Sequence, residues 1–257
     1  MPSQLEQDLM ATFGRRRLLG GIALGLGGAA LAACGSRAGA QAGRVACPAT
    51  PTEIRGPFPA DGSNGRPRPI NVLAMEGVVR RDIRGSFAGM DGRAEGVPLE
   101  LELAVVDAAG CAALAGRAVY LWQNDATGAY SLYNLPGENY LRGLQPADAQ
   151  GRLRFTAIVP GCYGGRSPHC HFEVFESAAA ALRGDAPLLI SQLAYPEAEC
   201  RAIYAGDARY GDSLRNLDRL PLGRDFVFGD TGAAGQIVAM AGDPARGYRG
   251  TATIGLS

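Results

Sequence analysis

The sequence contains no lysine. All 25 basic residues are arginine, and 25 acidic residues balance them to a formal net charge of +0. A chain without excess positive charge offers no footing for nucleic acid. The arginine usage, beside abundant Gly and Ala, reads as compositional bias. No Cys-x-x-Cys pair occurs among the six cysteines, which sets aside zinc ribbons and thioredoxin-type redox sites. No apolar run is long enough for a comfortable transmembrane helix; Leu18 to Ala33 is short and Gly-rich. No internal repeat and no second domain are visible. Histidine is scarcest of the metal-binding residues: two in 257, one residue apart.

The N-terminus reads as a targeting segment. Arg15-Arg16-Arg17 precede the weakly apolar run, which ends in Leu31-Ala32-Ala33-Cys34. Paired arginines ahead of a modest apolar region resemble a twin-arginine export signal. Leu-Ala-Ala-Cys resembles a bacterial lipobox, with Cys34 the acylated first residue of the mature protein; cleavage near Ala38-Gly39-Ala40 is the alternative. The expected division is a signal peptide over 1–33, a tether over 34–52 and one domain over 53–257. The expected location is the bacterial cell envelope, periplasmic or lipid-anchored. Six cysteines suit an oxidising compartment. With Cys34 acylated, Cys47, Cys111, Cys162, Cys170 and Cys200 remain, an odd number.

The rest of the chain alternates in short stretches. Val97 to Val105 places apolar residues against acidic ones at period two, which predicts a half-buried strand. Strands are also predicted near 78–83, 117–123, 151–159, 188–193, 237–240 and 251–256. The last two form a hairpin around Gly247-Tyr248. A long loop is predicted over 124–143 and one short helix near 197–204. Short strands at regular spacing with little helical periodicity predict an all-β domain, a β-sandwich with long irregular loops.

Both histidines lie in Arg166-Ser167-Pro168-His169-Cys170-His171, followed by the strand-like Phe172-Glu173-Val174-Phe175. On a strand, residues i and i+2 share a face, so His169 and His171 point one way and Cys170 the other. Two adjacent imidazoles form half of a metal site. Tyr163 ends the preceding strand, and Tyr130 lies in the loop after Trp122. Loops gather at the ends of a sandwich, so both tyrosines reach one rim. Phenolate oxygen is a hard anionic donor suited to Fe(III).

These segments resemble the intradiol ring-cleavage dioxygenases, the catechol and protocatechuate enzymes. Gly56-Pro57-Phe58 is similar to that family's Gly-Pro-Tyr, Arg80-Arg81-Asp82-Ile83 to its Arg-x-Asp-Ile, and Trp122 to Ser131 to its Trp-His-x-x-x-x-Gly-x-Tyr-Ser. Leu141-Arg142-Gly143 and Gly151 to Phe155 follow in order, and Pro160 to His171 resembles Pro-Gly-x-Tyr-x-x-Arg-x-x-His-x-His. The resemblance implies one non-haem Fe(III) held by Tyr130, Tyr163, His169 and His171, with Tyr163 the ligand a bound catechol displaces. It implies Arg166 stabilising the anionic substrate and Gln192 positioning it. The implied reaction joins a catechol-type substrate and O2 into a cis,cis-muconate-type dicarboxylic acid. Three positions depart from the pattern: Gln123 replaces a His, Cys162 a Trp, and Arg55 a common Glu.

Two other classes stand beside this one. A lipid-anchored β-sandwich could capture aromatics or metal without turnover. A zinc hydrolase could use His169 and His171 with Glu173, which shares their strand face.

Overall fold

The computed structural model describes residues 47–64 and 70–257. The expected signal peptide, Cys34 and the first part of the expected tether lie outside the described residues. Eight strands form the body: β1 (Pro98–Asp107), β2 (Ala118–Trp122), β3 (Arg142–Pro146), β4 (Arg152–Ile158), β5 (His169–Phe175), β6 (Leu189–Ala194), β7 (Ala239–Asp243) and β8 (Gly247–Leu256). They make two four-stranded sheets, in the orders β4-β1-β8-β7 and β3-β2-β5-β6. All neighbours are antiparallel except β1 and β8, which are parallel.

The alternation in β1 works as the sequence predicts. Leu99, Leu101, Leu103 and Val105 are buried between the sheets, each contributing roughly 1.5–3 kcal/mol relative to exposure. On the other face Glu102 stands opposite Arg154 of β4 and accepts its Nε hydrogen at 2.7 Å. The second sheet meets this core through Val119 and Leu121 of β2 and Cys170, Phe172 and Val174 of β5.

β5 is buried on both faces. The face carrying His169, His171, Glu173 and Phe175 turns away from the inter-sheet core. Irregular chain covers it: Ala60, Val72, Leu73 and Val78 pack with Tyr120, Trp122, Tyr130 and Phe175 in a second apolar cluster. The covering chain is tied down early. Cys47 is disulfide-bonded to Cys111, Thr50 N donates to Gly255 O at 2.9 Å, and Glu53 N donates to Ile190 O at 2.9 Å. Residues 47–52 of the expected tether are therefore held against both sheets.

Several local expectations differ from the fold. Residues 78–83 make no strand, only isolated bridges from Val79 to Leu144 and Asp82 to Thr156. Arg80 bends this stretch: its guanidinium donates to Arg142 O at 2.7 Å and also to Gly85 O. The predicted loop ends earlier, because Arg142 and Gly143 pair with Trp122 and Leu121. Among the described residues three short α-helices are present, α1 (Ala178–Arg183), α2 (Glu197–Gly206) and α3 (Ser213–Arg219), where the sequence suggested one. α1 is capped by Ser177 and ends on Gly184 at φ 80°, a start and stop signal in a stretch too short for visible periodicity. The last hairpin turns before Gly247, where Asp243 Oδ1 accepts from Ala245 N and Arg246 N at 3.0 and 2.9 Å.

Candidate metal centre

The two histidines share a face at the start of β5, as period two requires. Across the sheet, His171 stands between Trp122 of β2 and Gln192 of β6. The Trp122 ring stacks on the His171 imidazole with centroids 5.0 Å apart and planes 6° from parallel. His169 Nδ1 lies 2.7 Å from Ser167 O. A carbonyl oxygen only accepts, so Nδ1 carries the proton and Nε2 presents a lone pair. The Nε2 atoms of His169 and His171 are 3.1 Å apart. Burial pushes both imidazole pKa values well below the usual range, and the Arg166 charge adds to it in each. Both rings are therefore neutral and able to ligate.

The tyrosines come from two loops. Tyr163 follows β4, and its Oη lies 3.3 Å from His169 Nε2. Tyr130, in the loop between β2 and β3, is 1% exposed, and its ring meets Tyr163 edge-on at 5.9 Å. Its Oη is buried without a hydrogen bond of good geometry. Burial, and then the nearby Tyr163 hydroxyl, hold its pKa well above the usual phenol value. Tyr163 is raised by the same burial, with the Arg166 charge opposing. Gly128 lets the loops meet: at φ +88°, a Cβ there would fall 2.9 Å from Tyr163 Cβ. The neighbouring tyrosines turn elsewhere. Tyr133 Oη donates to Asn64 Oδ1 at 2.8 Å, and Tyr140 Oη to Asp125 Oδ2 at 3.0 Å.

Arg166 arches beside the histidines, 6% exposed. Its Nη1 is 3.2 Å from His169 Nε2, its Nη2 donates to Gln192 Oε1 at 2.7 Å, and its Nε donates to Asp225 Oδ2 at 2.9 Å. Gln192 spans two partners, since its Nε2 donates to Ile54 O at 2.8 Å. It thus touches Arg166 and the covering segment.

The donor set fits a hard cation. Ligands at right angles, each about 2.1 Å from one ion, sit about 3 Å apart, close to the spacings of His169, His171 and Tyr163. The partnerless buried Tyr130 hydroxyl supplies a further oxygen. Among the described residues, no three His, Cys, Asp or Glu side chains group as metal ligands. Glu173 shares the histidine face but accepts from Arg55 Nε at 2.5 Å, and Asp61 Oδ2 is 3.1 Å from the same nitrogen. The zinc-hydrolase alternative thus has its carboxylate engaged elsewhere. A cavity of about 570 Å³, lined by Cys47, Glu102, Ala104, Ile237, Thr251 and Thr253 among others, opens on the outer face of the other sheet, with no site residue in it.

Three contributors were not visible as such in the sequence. Trp122 reads as a core residue, yet it forms the surface on which His171 lies. Arg142 is fully buried and ties three segments together, donating to Phe58 O at 2.9 Å, Ser131 O at 2.9 Å and Tyr120 Oη at 3.4 Å. Only its place in Leu141-Arg142-Gly143 marked it. Asp225 carries no local signal: it lies 59 positions from Arg166.

Residues 82–188, the stretch holding both tyrosines, Arg166 and both histidines, match a protein-family model described as Dioxygenase. The fold is similar to an intradiol ring-cleavage dioxygenase from Tetranychus urticae, at 21% identity and TM-score 0.63 over 82% of this chain and 95% of that one. Catechol 1,2-dioxygenase from Pseudomonas arvilla C-1 is similar at 22% identity and TM-score 0.48, over 84% of this chain and 64% of that one. Hydroxyquinol 1,2-dioxygenase from Pseudomonas putida DLL-E4 is similar at 20% identity and TM-score 0.49, over 83% and 68%. A comparison with curated proteins returns no match. The stretch that builds the histidine–tyrosine cluster thus matches the dioxygenase family model, and the fold around it is similar to that of an intradiol ring-cleavage dioxygenase.

Proposed function

We propose that the protein is a non-haem Fe(III) dioxygenase. It opens a catechol-type ring between its two hydroxylated carbons and adds both atoms of O2 to give a cis,cis-muconate-type dicarboxylic acid. The observation that carries this reading is the meeting of Tyr163 Oη, His169 Nε2 and His171 Nε2 at 3.1–3.3 Å beside the partnerless Tyr130 hydroxyl. Fe(III), when bound, supplies Lewis acidity toward the two substrate oxygens. Tyr130 and Tyr163 would hold it as phenolates, and His169 and His171 through Nε2.

The chain's own groups have separable tasks. Ser167 O keeps the His169 proton on Nδ1. Trp122 fixes the plane of His171. Tyr163, on the more accessible loop, is the proposed ligand that yields to substrate and takes up its proton. Arg166 Nη1 directs positive charge at the same volume and stabilises negative charge developing on the substrate. Gln192 holds that guanidinium and joins it to the chain at Ile54.

The test is oxygen consumption with a panel of substituted catechols, beside metal analysis. One iron per chain, a red solution from the tyrosinate absorption, and uptake of one O2 per ring opened are expected. Stoichiometric zinc and a colourless protein would overturn the proposal. We further propose that the domain is exported and held at the membrane by lipid on Cys34. The Cys47–Cys111 disulfide supports an oxidising compartment.

A further inference from the structure

Beyond the stretch that matches the family model, the carboxylate of Asp225 is 1% exposed and accepts four hydrogen bonds. Oδ2 takes Arg166 Nε at 2.9 Å and Ser167 N at 2.8 Å. Oδ1 takes Val227 N at 2.9 Å and Phe228 N at 3.3 Å. The second pair folds residues 225–228 into a turn that sets Phe226 and Phe228 against the guanidinium, 4.9 and 5.6 Å from its carbon. The first pair joins two adjacent residues that do different things to the site. Arg166 aims Nη1 at the donor cluster. Ser167 offers its carbonyl to His169 Nδ1 and fixes its hydroxyl on Leu220 O at 3.0 Å.

We propose that Asp225 is the positioning residue of this site, one carboxylate that sets both the Arg166 fork and the His169 tautomer. The proposal deepens the dioxygenase reading and rests on it for the Arg166 half only. The side-chain hydrogen bonds of Asp225 go to Arg166, Ser167, Val227 and Phe228, and to none of the four donor residues. It acts by geometry and charge. A guanidinium has one Nε–H, and anchoring it leaves Nη1 and Nη2 in a fixed plane. Gln192 takes Nη2, so Nη1 alone faces the cluster. Asp225 also pairs with a buried cation beside two neutral imidazoles, which keeps that cation in place and its Nη1 in one direction. The shared Ser167 contact means that a shift of Asp225 reaches His169 through three atoms of backbone.

Asp225→Asn is the discriminating variant. All four partners are N–H donors, and an amide has a single acceptor oxygen, so one pair must face an NH2 group. Turnover should fall about tenfold or more at saturating catechol, with KM little changed. In an Arg166→Ala background the same change should cost no more than about twofold, because the path through Arg166 is already cut. Iron retention against a chelator should weaken about tenfold in both backgrounds.

An independent readout needs no turnover. With two histidines in the chain, 15N-histidine spectra of the metal-free protein should show one ring with its proton on Nδ1 and slow to exchange. Asp225→Asn should lose that protection. A fully multiplicative loss on the Arg166→Ala background, or an unchanged histidine spectrum, would overturn the proposal. Should Asp225→Asn fail to fold, Asp225→Glu keeps the charge and displaces the acceptors by one methylene; wild-type turnover and spectrum in that variant would overturn it equally. A wild-type protein that holds iron and consumes no O2 with any catechol refutes the dioxygenase reading instead, and leaves the histidine spectrum to decide the His169 half.

Discussion

Gly56 lies directly against His171. Its φ is +75°, and a Cβ built there would stand 2.9 Å from His171 Cε1. The covering segment can cross the imidazole only because this residue has no side chain and adopts the left-handed region. Trp122 stacks on the same ring with centroids 5.0 Å apart. His171 is thus held by a glycine at Cε1 and by an indole stacked on its plane.

Gly56→Ala should push the ring out of line without touching the inter-sheet core. Iron retention against a competing chelator should weaken by about 10–100-fold. The melting transition should move by the equivalent of only about 1 kcal/mol. His171→Ala, which deletes a ligand outright, should lose the iron and the colour altogether. Wild-type retention in Gly56→Ala would show that the segment can slide off the ring.

Arg166→Ala should keep iron and visible colour while turnover falls about a hundredfold, on the order of 3 kcal/mol of transition-state stabilisation. The structure adds a second expectation. Asp225, fully buried at its side chain, loses its cation, so stability should fall by about 3 kcal/mol. Arg166→Lys should recover little, because one ammonium cannot reach Asp225, Gln192 and the Nη1 position together. Steady-state oxygen uptake and thermal denaturation measure the two effects separately. Wild-type turnover in Arg166→Ala would leave the metal site standing and remove the catalytic part of the reading.

The Cys47–Cys111 bond spans 64 residues. By loop-closure entropy, its loss in Cys47→Ala with Cys111→Ala should cost about 4 kcal/mol in urea denaturation. Cys162, Cys170 and Cys200 are buried and unbonded, and burial pushes each thiol up to about 12. At pH 8 they carry almost no thiolate, so a thiol reagent should label none of them until the protein unfolds. Rapid native labelling of all three would contradict the packing around them.

Replacing Arg15, Arg16 and Arg17 with lysine should trap precursor in the cytoplasm, read by fractionation. Cys34→Ala should release the domain from the membrane fraction and leave its iron in place. Normal export of the lysine variant would refute the twin-arginine route. Unchanged membrane association of Cys34→Ala would refute the anchor.

What the sequence determined by itself is local. Period two placed His169 and His171 on one face and Cys170 on the other, because successive side chains alternate whatever the strand pairs with. The same rule exposed the Leu/Glu alternation of β1. The motif around Tyr130 and the Tyr163 to His171 spacing pointed to one cluster, since each lies within a few residues of a turn or strand start. The tertiary structure decided the rest. The histidine face does not look into the space between the sheets; it lies under irregular chain that includes Gly56, Ala60 and Val72, and no periodicity records which segment will cover a sheet. Arg55 reaches Glu173 across 118 positions and Arg166 reaches Asp225 across 59. With 25 arginines and 25 acidic residues in the chain, nothing in their order selects those pairs. β3 starts inside the expected loop because Arg142 finds Trp122, and its buried guanidinium finds the carbonyls of two other segments. Such choices depend on which groups packing brings within about 3 Å and leaves without water. That is a property of the folded chain and not of any stretch of it.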